Sequence, residues 1–203
     1  AVAALCDSIR EFGGALLCDP VGMGKTFVAL AAAPDDSILV VAPAVLREMW
    51  LTAAETAGRT ISFASFESLS RGFIPSEDFT FLIVDEAHHA RNPATTRYRT
   101  LSLLARAKPA LLLSATPIHN RGRDLDSLLS LFLGERAQSI TNAELGRCVV
   151  RRENVAQSAP LPASEPLEWR NVPGDDGVAR MLLDLPPPLP SRCRRHGGRA
   201  KGL

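Results

Sequence analysis

The sequence predicts a doubly wound α/β layer on a mainly parallel sheet, followed by an irregular proline-rich segment. Three observations carry that expectation. Five short apolar runs, "GALLCD" (14–19), "ILVVAP" (38–43), "ISFAS" (61–65), "FLIVDE" (81–86) and "ALLLSAT" (110–116), do not alternate polar with apolar residues, as expected of strands covered on both faces. Helix-periodic stretches lie between them. The composition then shifts near residue 155, and eight of the fifteen prolines fall in residues 151–203.

Taken in order, the first run leads into "GKTFVALAAA", a helix opened by a glycine turn. The second leads into "AVLREMWLTAAETAG", where Leu46, Trp50 and Ala53 or Ala54 recur at three-to-four spacing and predict a helix with one apolar face. After the fourth, Pro93 precedes "ATTRYRTLSLLARA", a third helix with a proline near its start. Strands alternating with helices imply right-handed crossovers and helices on both faces of the sheet. Residues 1–155 are therefore expected to form one lobe. Beyond it, "APLPASEPLEW" and "LPPPLP" cannot continue a helix or sheet interior, and "SRCRRHGGRAKGL" has five basic residues and no acid, so residues 156–203 read as a linker and a disordered basic tail.

Composition narrows the function. No run approaches the roughly 18 apolar residues of a membrane span and the start lacks a basic signal-peptide region, so a cytoplasmic protein without a membrane partner is expected. The four cysteines, Cys6, Cys18, Cys148 and Cys193, form no C-x-x-C pair and read as buried thiols. Net charge is +1, with 14 basic and 16 acidic side chains in residues 1–150, so any nucleic-acid contact there has to be local.

Three motifs carry chemistry. In "CDPVGMGKT" an apolar strand turns into a helix through Gly22, Met23, Gly24, Lys25 and Thr26, the context of a phosphate loop. The two glycines let backbone amides approach phosphate, the helix N-terminus adds a positive dipole end, Lys25 supplies charge and Thr26 offers a hydroxyl to Mg²⁺. Asp19 stands where the general pattern has glycine. In "FLIVDEAHH" Asp85 and Glu86 end a strand, at the sheet edge where open α/β folds bind ligands. One carboxylate to hold Mg²⁺ through water and one to activate the attacking water are what nucleotide hydrolysis uses. In "LLLSATPIHN", Ser114 and Thr116 end another strand, placed to sense the γ-phosphate beside Asp85 and His88.

In this order the three motifs resemble the first RecA-like lobe of superfamily 2 helicases and translocases, and the finer text is similar to the Swi/Snf-related ATPases. In that family aspartate normally occupies the position of Asp19. The similarity extends to "VVAPAVLREMW", "DEAHHARNPATTRYRTL", "SATPIHNRGRDLDSLLSLF" and the arginine pair of "VVRRENV", about residues 1–155 in all. The resemblance implies ATP and Mg²⁺ as cofactors and Asp85, Glu86 and Lys25 as catalytic residues. It implies nucleotide contacts or coupling at Gly22, Met23, Gly24, Lys25, Thr26, Asp85, His88, Ser114, Thr116 and Asn120, and Mg²⁺ at Thr26 and, through water, at Asp85.

The resemblance also implies that Ala42-Pro43 and Ser65-Phe66 track one strand of DNA by its backbone, as duplex and without sequence preference. Core packing is the preferred reading for Trp50 and Phe66, and for Arg121 and Arg123 solvent and phosphate readings stand even. The family's adenine-reading glutamine segment and its second lobe, which supplies arginine fingers, have no counterpart in these residues. The expectation is a truncated ATP-binding lobe of a DNA-dependent translocase, weakly active alone, with a second lobe on another chain as a further partner. A DEAH-type helicase, a restriction-system motor fragment and a nucleotide-binding module without turnover stand as alternatives.

Overall fold

A computed structural model describes residues 1–34, 37–76, 78–106, 108–115 and 123–152. The five apolar runs form β1 (Gly14–Leu17), β2 (Ile38–Ala42), β3 (Ile61–Ser65), β4 (Phe81–Val84) and β5 (Ala110–Leu113), and β6 (Val149–Val150) adds a sixth strand. Four of the runs outlast their strands: Cys18-Asp19, Pro43, Asp85-Glu86 and Ser114 lie past the strand ends. The helices are α1 (Val2–Phe12), α2 (Lys25–Ala32), α3 (Arg47–Thr56), α4 (Phe66–Ser70), α5 (Thr96–Leu104), α6 (Arg123–Leu133) and α7 (Asn142–Cys148). Among the described residues none is long and apolar enough to cross a membrane.

All the strands pair in parallel, in the order β3-β2-β4-β5-β1-β6. Successive strand residues point to opposite faces, and both faces are covered. Leu17, Val40, Ile83 and Leu111 pack with Leu5 of α1, Leu30 of α2 and Trp50 of α3. Leu16, Val41, Leu82 and Leu112 pack with Leu69 of α4, Leu101 of α5 and Leu128 of α6. The division follows from handedness: the chain moves outward from β1 to β2 and β3 with α2 and α3 on one face, then reverses through β4, β5 and β6. Right-handed crossovers put the returning helices on the other face.

Local signals start and stop these helices. Thr95 caps α5 by accepting the Tyr98 amide, and capping boxes open α4 at Ser65 and α7 at Thr141. Gly13 ends α1 in the left-handed region at φ 76°, its amide returning to the Ile9 carbonyl.

Elements α1, α4, α6, α7 and β6 were not among those expected. The two-residue β6 and five-residue α4 are too short to show a period, whereas Leu125, Leu128, Leu129 and Phe132 give α6 a helical spacing that was legible. Cys6 and Cys18 are half-buried and Cys148 is buried, all three as free thiols. Burial pushes the Cys18 thiol up to about 11, so it stays protonated near neutrality. Thr116, Asn120, Arg121, Cys193 and the proposed linker and tail lie outside the described residues.

Among the described glycines Gly14 has the least room. A Cβ there would lie 2.6 Å from the Ala110 carbonyl oxygen and 2.5 Å from Cγ of Phe132. Because the first neighbour is backbone of the paired strand, it cannot yield without disturbing β1 and β5. Gly14→Ala is expected to destabilise the chain by about 1–3 kcal/mol, read as a lower urea midpoint with an unchanged slope.

Candidate functional site

Parallel pairing brings the strands' carboxyl ends to one edge. The register sets Leu17 beside Leu113 and Val150, and Val84 beside Val41 and Leu112. One residue further on, the Cys18 amide donates to the Val150 carbonyl, Ser114 to Leu17 and Asp85 to Val41. The glycine loop, the acidic pair and Ser114 therefore leave the sheet at the same level.

The loop's shape comes from two glycines, Gly22 at φ 82° and Gly24 at φ 69°. Both lie in the left-handed region that residues with a Cβ rarely occupy. Gly24 caps α2, so the first amides of that helix, from Lys25 onward, face out of the loop. The Lys25 ammonium donates to the Asp19 and Pro20 carbonyls at 2.9 and 3.0 Å. It is half-buried against its own loop rather than extended, and one of its three N–H donors remains for a ligand.

Asp19 is wholly buried and has a definite partner. Its carboxylate accepts the Arg152 amide and Nε, each at 2.7 Å, while Arg152 Nη2 donates to the Met23 carbonyl at 2.6 Å. One arginine, leaving β6, thus holds both ends of the loop. Met23 contributes its carbonyl to this anchor.

Asp85 is nearly buried, and each oxygen takes a hydrogen bond: Oδ2 from Trp50 Nε1 at 3.0 Å, Oδ1 from the Glu86 amide at 2.9 Å. Burial raises its carboxyl above the usual carboxylate range, and these two donors pull it part of the way back. Glu86 adopts φ 50° and ψ 47°, the one left-handed non-glycine residue described. Such backbone costs of order 1–3 kcal/mol and collects at functional sites. His88 Nδ1 lies 3.1 Å from Glu86 Oε2.

Beyond His88 the contacts continue. Its ring is 4.4 Å from that of His89, which is 5.6 Å from Phe66 at the start of α4. Burial, then His88 and Arg97, hold the His89 imidazole below its ordinary range, so the ring is neutral near pH 7. The loop after β2 is tied to α4, because the Ala44 amide donates to Glu67 Oε2 at 3.0 Å. Glu67's own amide, followed by that of Ala44, holds its carboxyl below the usual range.

Lys25, Thr26, Asp85 and Glu86 line one cleft of about 700 Å³, with Phe27, Leu46 and Met49 as an apolar wall. That volume falls within the roughly 300–1,000 Å³ of small-molecule sites. Thr26 Oγ1 lies 3.8 Å from Met49 Sδ. Ser114 is buried just past β5, and Arg123 is exposed at the start of α6. Among the described residues no group of three or more His, Cys, Asp or Glu side chains forms a metal cage.

Sequence reasoning missed two partnerships. The sequence shows the arginine pair, but no local signal joins Arg152 to Asp19, 133 positions away. Trp50 and Phe66 are core residues, as expected, but the indole also holds Asp85. Only the fold brings these groups together.

Residues 52–144 match the family model of the SNF2-related domain. A protein of Acanthamoeba polyphaga mimivirus named for ATP-dependent RNA helicase activity, L538, is 32% identical over 130 residues, covering 60% of this chain and 29% of its own. The SWI/SNF-related matrix-associated actin-dependent regulator of chromatin subfamily A-like protein 1 of Xenopus tropicalis is 31% identical over 144 residues, 58% of this chain and 15% of its own. The chain thus spans less than a third of the length of these curated relatives. The solved Sulfolobus solfataricus SWI2/SNF2 ATPase core in complex with dsDNA matches with a TM-score of 0.60 at 19% identity, covering 74% of this chain and 42% of that one. The fold is the RecA-like α/β layer of that core.

Two outcomes follow from the site's strain and its buried charge. Glu86→Ala and Glu86→Gly both lose the carboxylate, but only glycine relaxes at φ 50°. The glycine variant should be the more stable of the two by about 1 kcal/mol, measured by thermal unfolding. Arg152→Ala leaves the buried Asp19 with a backbone donor alone and should cost about 3 kcal/mol, measured as a fall in the urea midpoint.

Proposed function

We propose that this chain, with an SNF2-related domain at residues 52–144, works as the ATP- and Mg²⁺-binding lobe of a Swi/Snf-like translocase on duplex DNA. The observation that carries this reading is the shared cleft: a two-glycine loop entering α2 faces the strand-end pair Asp85-Glu86. The residues present fit the group. Outward amides, a lysine and a helix N-terminus suit a triphosphate, and a buried, hydrogen-bonded carboxylate opposite a threonine hydroxyl suits a cation whose remaining ligands are phosphate and water.

When bound, Mg²⁺ would neutralise charge on the β- and γ-phosphates. Gly22, Gly24 and the first amides of α2 hold phosphate oxygens. Lys25 turns its free donor to them, and Thr26 and Asp85 would hold the metal, the latter through water. Glu86 accepts the proton of the attacking water, its carboxylate oriented by His88 at 3.1 Å. Ser114, with Thr116 and Asn120, reports the γ-phosphate to the rest of the lobe. An arginine from a second lobe contributes ~10³ or more in rate, so this lobe binds nucleotide well and turns it over slowly by itself. In this reading residues 1–155 form the lobe and 156–203 lead out of it.

The loops at Ala42-Pro43 and Ser65-Phe66 contact the DNA backbone. Such contacts ignore sequence and weaken with salt. Relatives named as DNA annealing helicase and as RNA helicase make the choice of nucleic acid a point for experiment.

Lys25→Ala is expected to lose most ATP affinity, at least tenfold by equilibrium binding, while still unfolding in one cooperative transition on heating. Glu86→Gln should keep Mg·ATP binding and abolish turnover, including turnover restored by a supplied second lobe. Lys25→Ala binding as tightly as the parent would remove the loop from the site. Stimulation of turnover by single-stranded RNA in preference to duplex DNA would replace the translocase reading with a helicase one.

A further inference from the structure

Trp50 fills its place in the core completely, among apolar side chains of α3 and the central strands. For packing alone, a phenyl or leucyl group would serve. The indole differs by its N–H, which a buried tryptophan has to satisfy, and that donor reaches 35 positions along the chain to Asp85 Oδ2. Asp85 Oδ1 is held from a different direction by the Glu86 amide. Two donors, one per oxygen, fix the rotation of the carboxylate about both side-chain bonds. With about four lone-pair sites on the group, those left over are fixed as well.

The preceding residue of α3 makes a second, longer contact in the opposite sense, accepting from the Thr26 hydroxyl at 3.8 Å. Met49 Sδ lies against Thr26 Oγ1. Consecutive residues on the first turns of α3 thus touch the two side chains read as facing the metal. The helix is entered from Pro43 through a 3₁₀ turn at Ala44–Leu46, directly after a loop read as contacting the nucleic-acid backbone.

From this geometry we infer that Trp50 is the positioning residue of the metal site: its indole N–H turns the Asp85 carboxylate so that its remaining lone pairs meet the hydration shell of a nucleotide-bound divalent cation. This rests on the reading of the cleft as an Mg·nucleotide site. A site of this kind has to be held within about 0.5 Å by the groups behind it, and no other described side chain hydrogen-bonds the Asp85 carboxylate. Packing and positioning differ in one measurable respect. Loss of packing lowers stability alone, whereas loss of the donor lowers the gain in nucleotide affinity that magnesium confers.

The test is calorimetric titration of the full chain with ADP, in excess Mg²⁺ and in EDTA, for the parent and Trp50→Phe. Trp50→Phe should bind metal-free ADP within about twofold of the parent and lose about tenfold of the magnesium-dependent gain, the scale of a hydrogen bond to a charged group. A second measurement needs no folded variant at position 50. The chain has two tryptophans, Trp50 and Trp169, hence two indole N–H resonances, assigned through Trp169→Phe. The Trp50 resonance should shift on adding Mg·ADP and stay in place with ADP in EDTA.

A full magnesium gain in Trp50→Phe, or an indole resonance indifferent to the metal, would overturn the positioning role while leaving the nucleotide site standing. Failure of the parent to bind ADP under either condition would overturn the nucleotide site itself, and the role of Trp50 with it.

Discussion

Every feature of the cleft depends on the strands running the same way. A parallel sheet needs a crossover between each pair of strands, so each strand ends at one edge and the chain returns behind it as a helix. Six carboxyl ends therefore supply one row of loops. With β1 between β5 and β6, and β5 beside β4, the glycine loop has Ser114 on one side, Arg152 on the other and the acidic pair two strands away. An antiparallel neighbour would have sent one of these groups to the opposite edge, about 15 Å away for a strand of four or five residues.

Within that frame Asp19 bears the greatest electrostatic demand. A wholly buried carboxylate is tolerated only when charge and hydrogen bonds are both matched. Arg152 matches them with a backbone amide, Nε and Nη2, then extends to the Met23 carbonyl. The loop thereby acquires an anchor outside its own sequence. This accounts for an aspartate where the general phosphate-loop pattern has glycine. Glycine there would shape a turn; aspartate ties the turn to the last strand of the sheet, which is otherwise held by only two residues of pairing.

Legibility divides along physical lines. The five long strands were readable because burial on both faces removes polar residues, and α2, α3 and α5 because their apolar positions recur on one face. The glycine loop and Asp85-Glu86 were readable because their chemistry is local: a left-handed turn needs Gly22 and Gly24, and a strand end is where an acidic pair can meet a ligand. Trp50 with Asp85, Arg152 with Asp19, and Glu67 with Ala44 were not readable as pairs. Each joins residues between 23 and 133 positions apart, and a side chain such as Trp50 satisfies the apolar pattern whether or not its N–H has a partner. The strain at Glu86 was hidden as well, since a left-handed glutamate leaves no trace in composition.

The same distribution has a mechanical consequence. The two loops proposed to contact nucleic acid are not independent of the cleft: the loop after β2 passes into α3, whose Met49 and Trp50 touch Thr26 and Asp85, and it is tied to α4 through Glu67. From the other side, Glu86 leads through His88 and His89 to Phe66, at the start of that same α4. Two contiguous routes of packed and hydrogen-bonded groups thus join the edge loops to the acidic pair, one through each face of the sheet. Contiguity becomes coupling only where an element has two arrangements that both sites bias. Both routes end on Glu86, whose backbone occupies the less favoured left-handed region, or on its neighbour Asp85.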